Sequence, residues 1–582
     1  MSGFVLVSRT LDPAAEVLSL RVRQRAAQIG LTIVDLSPQV WLGAYGPRPP
    51  RTLAVGAWTL IGDVFNRARS SFRPALTGDT YEHKMTDRFW GRYVGVRLNG
   101  RGELDAVMRD PSGALECVTW RQNSLTLVAS ETPEWLIQAL RPKWRIDYDR
   151  VQAVLRDPLT AWNELALEGP RALLPGAFQA LNVPDPPVAL WRPGHIARAG
   201  AFDNADDDVA ARALTDAVDE VVSGYGRLNC RMGAEVSGGL DSSIVAASLK
   251  SVAKADVRLW LNAYGPDPEA DEREFARALE AKVGIELTFA ARRAGRITEA
   301  DLMAISGHLR PGLNALDMTQ DQDWRERWRD AGVTAVLTGK GGDSVFVQAA
   351  NGDVFSDLWR ARGWRASFSP SLVSLARSDE RTVWSLLQNA RRAGQGDPGV
   401  SRSRSLLVPG DAAPSHPAHP WMKDADGLGP SKRYQIAGVV NGLTFQAPSA
   451  QTEVADLLHP LLAQPVVETC LALSAPQLTL GGHDRALARL AFRDRLPDVI
   501  AARRSKGEMT AFYGHRIANS LDVLRPWLMD GLLAARGLID REAVERLLTR
   551  EQLIWRGGYG DIMIAAAVEG WVRVWTSRLS AT

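Results

Sequence analysis

Residues 231–252, RMGAEVSGGLDSSIVAASLKSV, pass from a short strand pattern through a glycine- and serine-rich turn directly into an apolar helix pattern. A unit of this kind cannot fold alone. The strand needs neighbours on both edges, and a helix entered in so few residues must pack back on the sheet it leaves. The alternation recurs: RLWLNAY (258–264) leads to DEREFARALEAKVG (271–284), and TAVLTG (334–339) opens the next segment. This pattern predicts right-handed crossovers and a parallel sheet covered on both faces. Just before it, DDDVAARALTDAVDEVV (206–222) has helical spacing and an acidic first turn, which suits the positive end of a helix dipole.

The turn has the composition of an anion site. A strand that ends in glycines and opens a helix presents bare N–H groups at the positive end of that dipole. Gly238 and Gly239 permit close approach, and Ser237, Ser242 and Ser243 add hydroxyl donors. Asp241 is the odd member, because a carboxylate beside phosphates repels them unless a cation lies between; the economical reading is Mg²⁺ bridging Asp241 and phosphate oxygens. The stretch lacks both G-x-x-x-x-G-K-[ST] and G-x-G-x-x-G, which excludes the P-loop and dinucleotide readings.

Residues 1–195 read as short β-like runs with scattered helices. RYVGVRLNGRGELDAVMRD (92–110) predicts a hairpin about NGRG, with Val94, Val96 and Leu98 on one face of its first strand. The Pro- and Gly-rich stretch 183–200 is a candidate linker, residues 400–433 a mobile loop, and the chain from about 434 mostly helical. A length of 582 residues predicts several domains. The net charge of +2, without a basic run, argues against a nucleic-acid partner. No stretch reaches ~18 uninterrupted apolar residues, so no membrane partner is expected. Cys117, Cys230 and Cys470 lie far apart without a CxxC pair, and the start lacks a signal-peptide pattern, so a reducing cytoplasm is expected. His416, His419, His459 and His483 are irregularly spaced and read as loop or core histidines. Core packing is the expected home of most of the 19 tryptophans.

SGGLDSS (237–243) resembles the pyrophosphate-binding loop of the ATP pyrophosphatases, which split ATP between its α and β phosphates and leave an adenylylated intermediate. AVLTGKGGDSVF (335–346) resembles the second signature of the asparagine-synthetase branch, which implies that Asp343 shares magnesium with Asp241. HPLLAQPVVETCLALSAPQLTLGGHDRALARLAFRDRLPDVIAARRSKGE (459–508) resembles the C-terminal helical region of that branch. It implies that Lys506 contacts the α-phosphate and the reacting carboxylate, where an ammonium stabilises developing charge. The resemblance further implies ATP contacts at Val236, Ser237, Gly238, Gly239, Asp241, Ser242, Ser243, Asn262, Gly339 and Gly341. The implied fold is α/β: an ATP-pyrophosphatase (PP-loop, adenine nucleotide alpha hydrolase-like) synthetase domain with helical additions over 196–582, and a degenerate Ntn-glutaminase-like αββα sandwich over 1–195.

WTLIGDVFNR (58–67) and LDAVMRDPSGALECVTW (104–120) resemble glutaminase segments of the asparagine synthetases. Yet Ser2 stands where that family has its nucleophilic cysteine, and Ile61 replaces the oxyanion-hole asparagine, a donor worth ~3 kcal/mol. Glutamine hydrolysis is expected to be lost and the nitrogen to come from an amine. That shifts the resemblance toward β-lactam synthetases and lasso-peptide cyclases. TGKGGDSVF (338–346), HPWMKDADGLGPSKRYQI (419–436) and RRSKG (503–507) are closer to the cyclases. The implied reaction is ATP-dependent, AMP-forming macrolactam formation on a precursor core peptide, in which its α-amine joins an Asp or Glu side chain; a leader peptidase and a leader-binding protein are the implied partners. A small-molecule amide or β-lactam synthetase and a glutamine-hydrolysing asparagine synthase homologue stay open as alternatives. Lys340 stands where the β-lactam enzymes have tyrosine and the asparagine enzymes glutamate; it is expected to bind pyrophosphate and not to act as a base.

Overall fold

Asn99 opens the NGRG turn by accepting the N–H groups of Arg101 and Glu103 on its side-chain oxygen. Gly102 closes it in the left-handed conformation (φ +77°) that glycine adopts without strain. In this computed structural model the turn joins strands Phe89–Leu98 and Leu104–Arg109 as the expected antiparallel hairpin. Val94 and Val96 are buried and Leu98 is half-buried. The structure describes residues 1–202, 205–266, 270–293, 295–393, 407–409, 418–503 and 509–580.

The hairpin lies within a six-stranded antiparallel sheet, and a second six-stranded sheet is built around Gly3–Arg9, Val40–Tyr45 and Leu125–Ala129. Alternation along the strands decides what each face meets. Phe4, Leu6, Val40 and Leu42 of one sheet share a core with Ile61, Val94, Val96 and Val107 of the other. Val5, Val7 and Trp41 face the opposite way, toward helix Pro13–Gln28, where the Trp41 indole donates to Ser19. Helix Tyr81–Arg88 places Met85 against Trp58, Leu60 and Tyr93 on the outer face of the other sheet.

The third sheet is parallel, in the order Leu287–Ala291, Asp256–Tyr264, Arg231–Glu235, Ala335–Leu337, Asp456–Leu458. The first strand in sequence is the central one. The order therefore reverses between it and Ala335–Leu337, and a crevice opens at their carboxyl ends, where open α/β sheets take their ligands. Helix Asp207–Gly226, whose Asp206 cap accepts the Val209 N–H at 2.7 Å, packs against helices Leu240–Val252, Gln464–Ala472 and Ala486–Phe492. Strand Asp456–Leu458 is an addition to the mostly helical C-terminal stretch that was expected.

Residues 183–200 are not a free linker. They hold helix Pro193–Ala199, which contains the expected boundary at 195, and Leu190 and Trp191 are each 5% exposed. Trp191 packs edge-on to Trp421 at 5.0 Å and its indole donates to Glu468 at 2.9 Å. Burying a large apolar side chain is worth about 1.5–3 kcal/mol, so each of the two anchors offsets the cost of ordering one or two residues around it. The expected loop 400–433 is likewise helical at Pro420–Asp424 and from Pro430 onward, and Asp424 accepts the Gly194 N–H at 2.6 Å. Residues 394–406 and 410–417 of that region, His416 included, lie outside the described residues.

The remaining expectations about side chains resolve simply. Trp58, Trp90, Trp328, Trp571 and Trp575 are among the most buried residues, whereas Trp364, Trp384 and Trp555 are 66%, 75% and 79% exposed. His419 and His459 are buried, and burial pulls both down to about 3, so they are neutral core histidines; His483 is exposed. All three cysteines are free. No helix among the described residues is long and apolar enough to cross a membrane.

Candidate active site

Gly238 makes the turn possible. It sits at φ +89°, and a Cβ there would meet the Glu272 carbonyl at 2.8 Å. The chain then enters helix Leu240–Val252 through Gly239, and the serines bind the loop to itself. Ser242 Oγ accepts the Ser237 N–H at 3.1 Å and lies 3.0 Å from Ser237 Oγ, while Ser237 Oγ accepts the Gly239 N–H at 3.1 Å. Ser243 Oγ donates to the Gly239 carbonyl at 2.7 Å. Asn262, 1% exposed on the neighbouring strand, donates to the Val236 carbonyl at 2.7 Å and fixes the loop from behind.

The loop after Ala335–Leu337 docks on this one at van der Waals contact because glycines leave room. A Cβ on Gly339 would lie 2.4 Å from the Ser242 nitrogen, and one on Gly342 would lie 2.3 Å from Asp241 Cγ. The close approach carries Asp343 beside Asp241. Arg485 Nη1 donates to both, to Asp241 Oδ2 at 2.9 Å and Asp343 Oδ1 at 2.5 Å, while Asp484 holds the other face of the guanidinium. Burial works against the Arg485 charge, and the carboxylates of Asp241, Asp343 and Asp484 more than offset it, so its pKa is raised. Arg485 adopts φ +50° at the start of helix Ala486–Phe492, and its N–H donates to the carbonyl of Val347, itself at φ +60°. A β-branched residue in that conformation is an outlier, and two strained residues joined beside a cavity are typical of a functional site.

The crevice is a cavity of about 240 Å³. Its wall takes Val236, Ser237, Gly239, Asp241 and Ser242 from the first loop and Gly339, Lys340 and Asp343 from the second. Arg485, Arg489 and Arg503 also line it, together with Glu235, Leu240, Ala263, Glu272, Arg292, Trp324 and Ile500. Of the other residues expected to touch a nucleotide, Gly238, Ser243, Asn262 and Gly341 lie outside this lining; they shape the loops. Gly341, at φ +92°, faces Leu462. Lys506 lies outside the described residues.

Lys340 is the second loop's cation in this wall. Burial pulls its ammonium down, and Glu235, Asp321 and Asp317 outweigh that and raise it, so it is a firm cation 5.4 Å from the Phe445 ring centroid. Glu235 ends the central strand, and its Oε1 is buried without a hydrogen-bond partner. Behind the second loop, Thr338 Oγ1 pairs with His459 Nδ1 at 2.7 Å and also accepts the Lys340 N–H.

The donor set suits a magnesium-bound polyphosphate: two carboxylates from adjacent loops, free space above a helix N-terminus, and three arginines in the wall. Magnesium on phosphates needs only one or two protein carboxylates. No group of three or more metal-ligating side chains forms among the described residues.

Just before strand Gly3–Arg9, Ser2 is 2% exposed. Its N–H donates to Asp456 Oδ1 at 2.8 Å and its hydroxyl accepts the Arg48 N–H at 2.9 Å. Ile61 is fully buried in the core between the sheets and supplies no side-chain donor. Arg48 pairs with Asp63 at 2.7 Å and reaches Asp456 at 3.5 Å, which ties this region to the edge strand of the parallel sheet.

Residues 211–573 match the family model described as asparagine synthase. No curated protein matches the chain.

Proposed function

Since the chain belongs to the asparagine synthase family, a family of ATP-dependent amide-forming enzymes, we propose that it is an AMP-forming carbon–nitrogen ligase whose substrate is a peptide closed into a macrolactam, as in lasso-peptide cyclases. The observation that carries the reading is the meeting of Asp241 and Asp343, from the loops of two adjacent strands, at the switch-point cavity. In this reading residues 196–582 are the ATP-pyrophosphatase (PP-loop) synthetase domain and residues 1–195 a degenerate glutaminase-like sandwich.

Asp241 and Asp343 would hold magnesium, whose charge would neutralise phosphate oxygens. The first loop offers its N–H groups and Ser237 to the pyrophosphate end. Arg485, Arg489 and Arg503 line the cavity in which negative charge accumulates as the α–β bond breaks. Lys506, by family resemblance, contacts the α-phosphate and the reacting carboxylate. The buried Ile61 and the engaged Ser2 hydroxyl favour an incoming amine over ammonia released from glutamine. The peptide's α-amine attacks its own activated Asp or Glu side chain, and holding the two ends together offsets the entropy of ring closure. A leader peptidase and a leader-binding protein would deliver the peptide in the cytoplasm.

The test is ATP-dependent pyrophosphate release with a panel of Asp- or Glu-containing core peptides, L-aspartate and small amino diacids. Release with a peptide that loses the mass of one water supports the macrolactam reading. Release only with the small acids moves the assignment to a small-molecule amide or lactam synthetase. Lys340 has a definite role here: its ammonium keeps Glu235, Asp317 and Asp321 from repelling the polyphosphate. Lys340→Ala is expected to raise KM for ATP and slow pyrophosphate release by about 10-fold or more, a tenfold change corresponding to ~1.4 kcal/mol. Unchanged pyrophosphate release with ring closure lost would refute that role.

A further inference from the structure

Amide formation from an amine needs a group that takes the nitrogen's proton, and a general base contributes about 10²–10⁴-fold. Among the described residues four carboxylates line the cavity: Glu235, Asp241, Glu272 and Asp343. Asp241 and Asp343 share Arg485, and Glu272 pairs with Arg503 at 2.7 Å. Each is engaged by an arginine. Among the described residues no histidine lines the cavity, and Lys340 is held as a cation. Among the described residues Glu235 is the one lining carboxylate without an arginine partner, and its Oε1 is sequestered from solvent with no hydrogen bond.

We propose that Glu235 is the general base for amide formation, receiving the proton of the attacking amine in the cavity that it lines with Lys340. This rests on the ligase reading above. In the step, the neutral amine nitrogen forms the C–N bond to the activated acyl carbon. The C–O bond to the AMP phosphate breaks, and its electron pair leaves with AMP. The N–H proton passes to a Glu235 carboxylate oxygen.

The position is built for that task. Glu235 is the last residue of the central strand, so the sheet holds it rigidly, and Val236 and Ser237 of the anion loop follow it directly. Burial raises its pKa to about 7, which Lys340 and Arg292 oppose and Asp321 and Asp317 reinforce. Those four are the charged groups that face it: Lys340 from the second loop, Arg292 beyond strand Leu287–Ala291, and Asp317 and Asp321 at the start of helix Met318–Asp330. Tyr513 and Arg292 in turn hold Asp317, and Gln451 holds Asp321, so the surroundings of Glu235 are fixed.

The test compares wild type with Glu235→Gln on the panel above, reading ATP–pyrophosphate exchange for the first half-reaction and amide product for the second. The expected result is exchange within a few-fold of wild type, product formation slowed about 10²–10⁴-fold, and loss of the acid limb near pH 7 from the kcat profile. Hydroxylamine, neutral at the assay pH, should trap the activated acyl group equally well in both proteins, which a merely structural defect would not allow. Product formed at the wild-type rate, or exchange and product lost together in a folded variant, overturns the assignment of Glu235. Absence of exchange in the wild type with every panel member overturns the ligase reading, and this inference falls with it.

Discussion

Asp241→Asn is expected to lower ATP-dependent pyrophosphate release by about 10²–10³-fold, the usual loss when one preorganised electrostatic group is removed from a reacting centre. The melting temperature should stay near wild type. The two outcomes separate because Asp241 is one of three carboxylates around Arg485; its removal leaves that guanidinium held by Asp343 and Asp484. Asparagine also keeps the shape that packs against Gly342, where the contact is too close for any larger neighbour. What it removes is the negative charge that makes a bound divalent cation favourable beside the anion loop. Pyrophosphate release and a thermal melt on the same preparation are enough. Activity within a few-fold of wild type would remove Asp241 from the reacting centre.

The largest effect on stability is expected at Glu468, far from the chemistry. Its carboxylate and the Arg67 guanidinium form an ion pair with both side chains 1% exposed. The same carboxylate accepts the Trp191 indole N–H at 2.9 Å and the Gln464 amide at 2.8 Å. Truncating one partner of such a pair leaves the other charge buried and unpaired, which costs about 3–5 kcal/mol. Glu468→Ala should therefore shift the urea midpoint, followed by tryptophan fluorescence, strongly downward. Glu468→Gln, which can still serve Trp191, should fall between it and wild type. A midpoint unchanged in Glu468→Ala would mean that water reaches Arg67 once the carboxylate is gone.

The anion loop and the parallel sheet were legible because their signals are local. Glycines between a strand and a helix, and strands alternating with helices, depend on few long-range choices. The same holds for the hairpin at NGRG, where Asn99 and Gly102 set the turn by themselves. Arg485 was not singled out in the sequence, because its role depends on a left-handed backbone and on two loops distant in sequence. Glu235 gave no local sign: a carboxylate at a strand end is ordinary until the second loop and helix Met318–Asp330 enclose it. Strand Asp456–Leu458 is only three residues long, below what alternation can mark. The linker reading of 183–200 failed because composition reports backbone irregularity, whereas docking was decided by Leu190 in the cluster of Trp58 and Tyr93 and by Trp191 against residues more than two hundred positions later.

The pairing of Arg67 with Glu468 also fixes an order of events during synthesis. The partners are 401 residues apart, and Ser2 and Asp456 are separated by 454. At a ribosomal rate of roughly 5–20 residues per second, Arg67 emerges about 20–80 s before its counter-ion exists. Both antiparallel sheets have all their strands by residue 189, so they can assemble early, but with a guanidinium that only the last quarter of the chain can neutralise. The ion pair at Arg67 can therefore close only after the first two hundred residues have long been made.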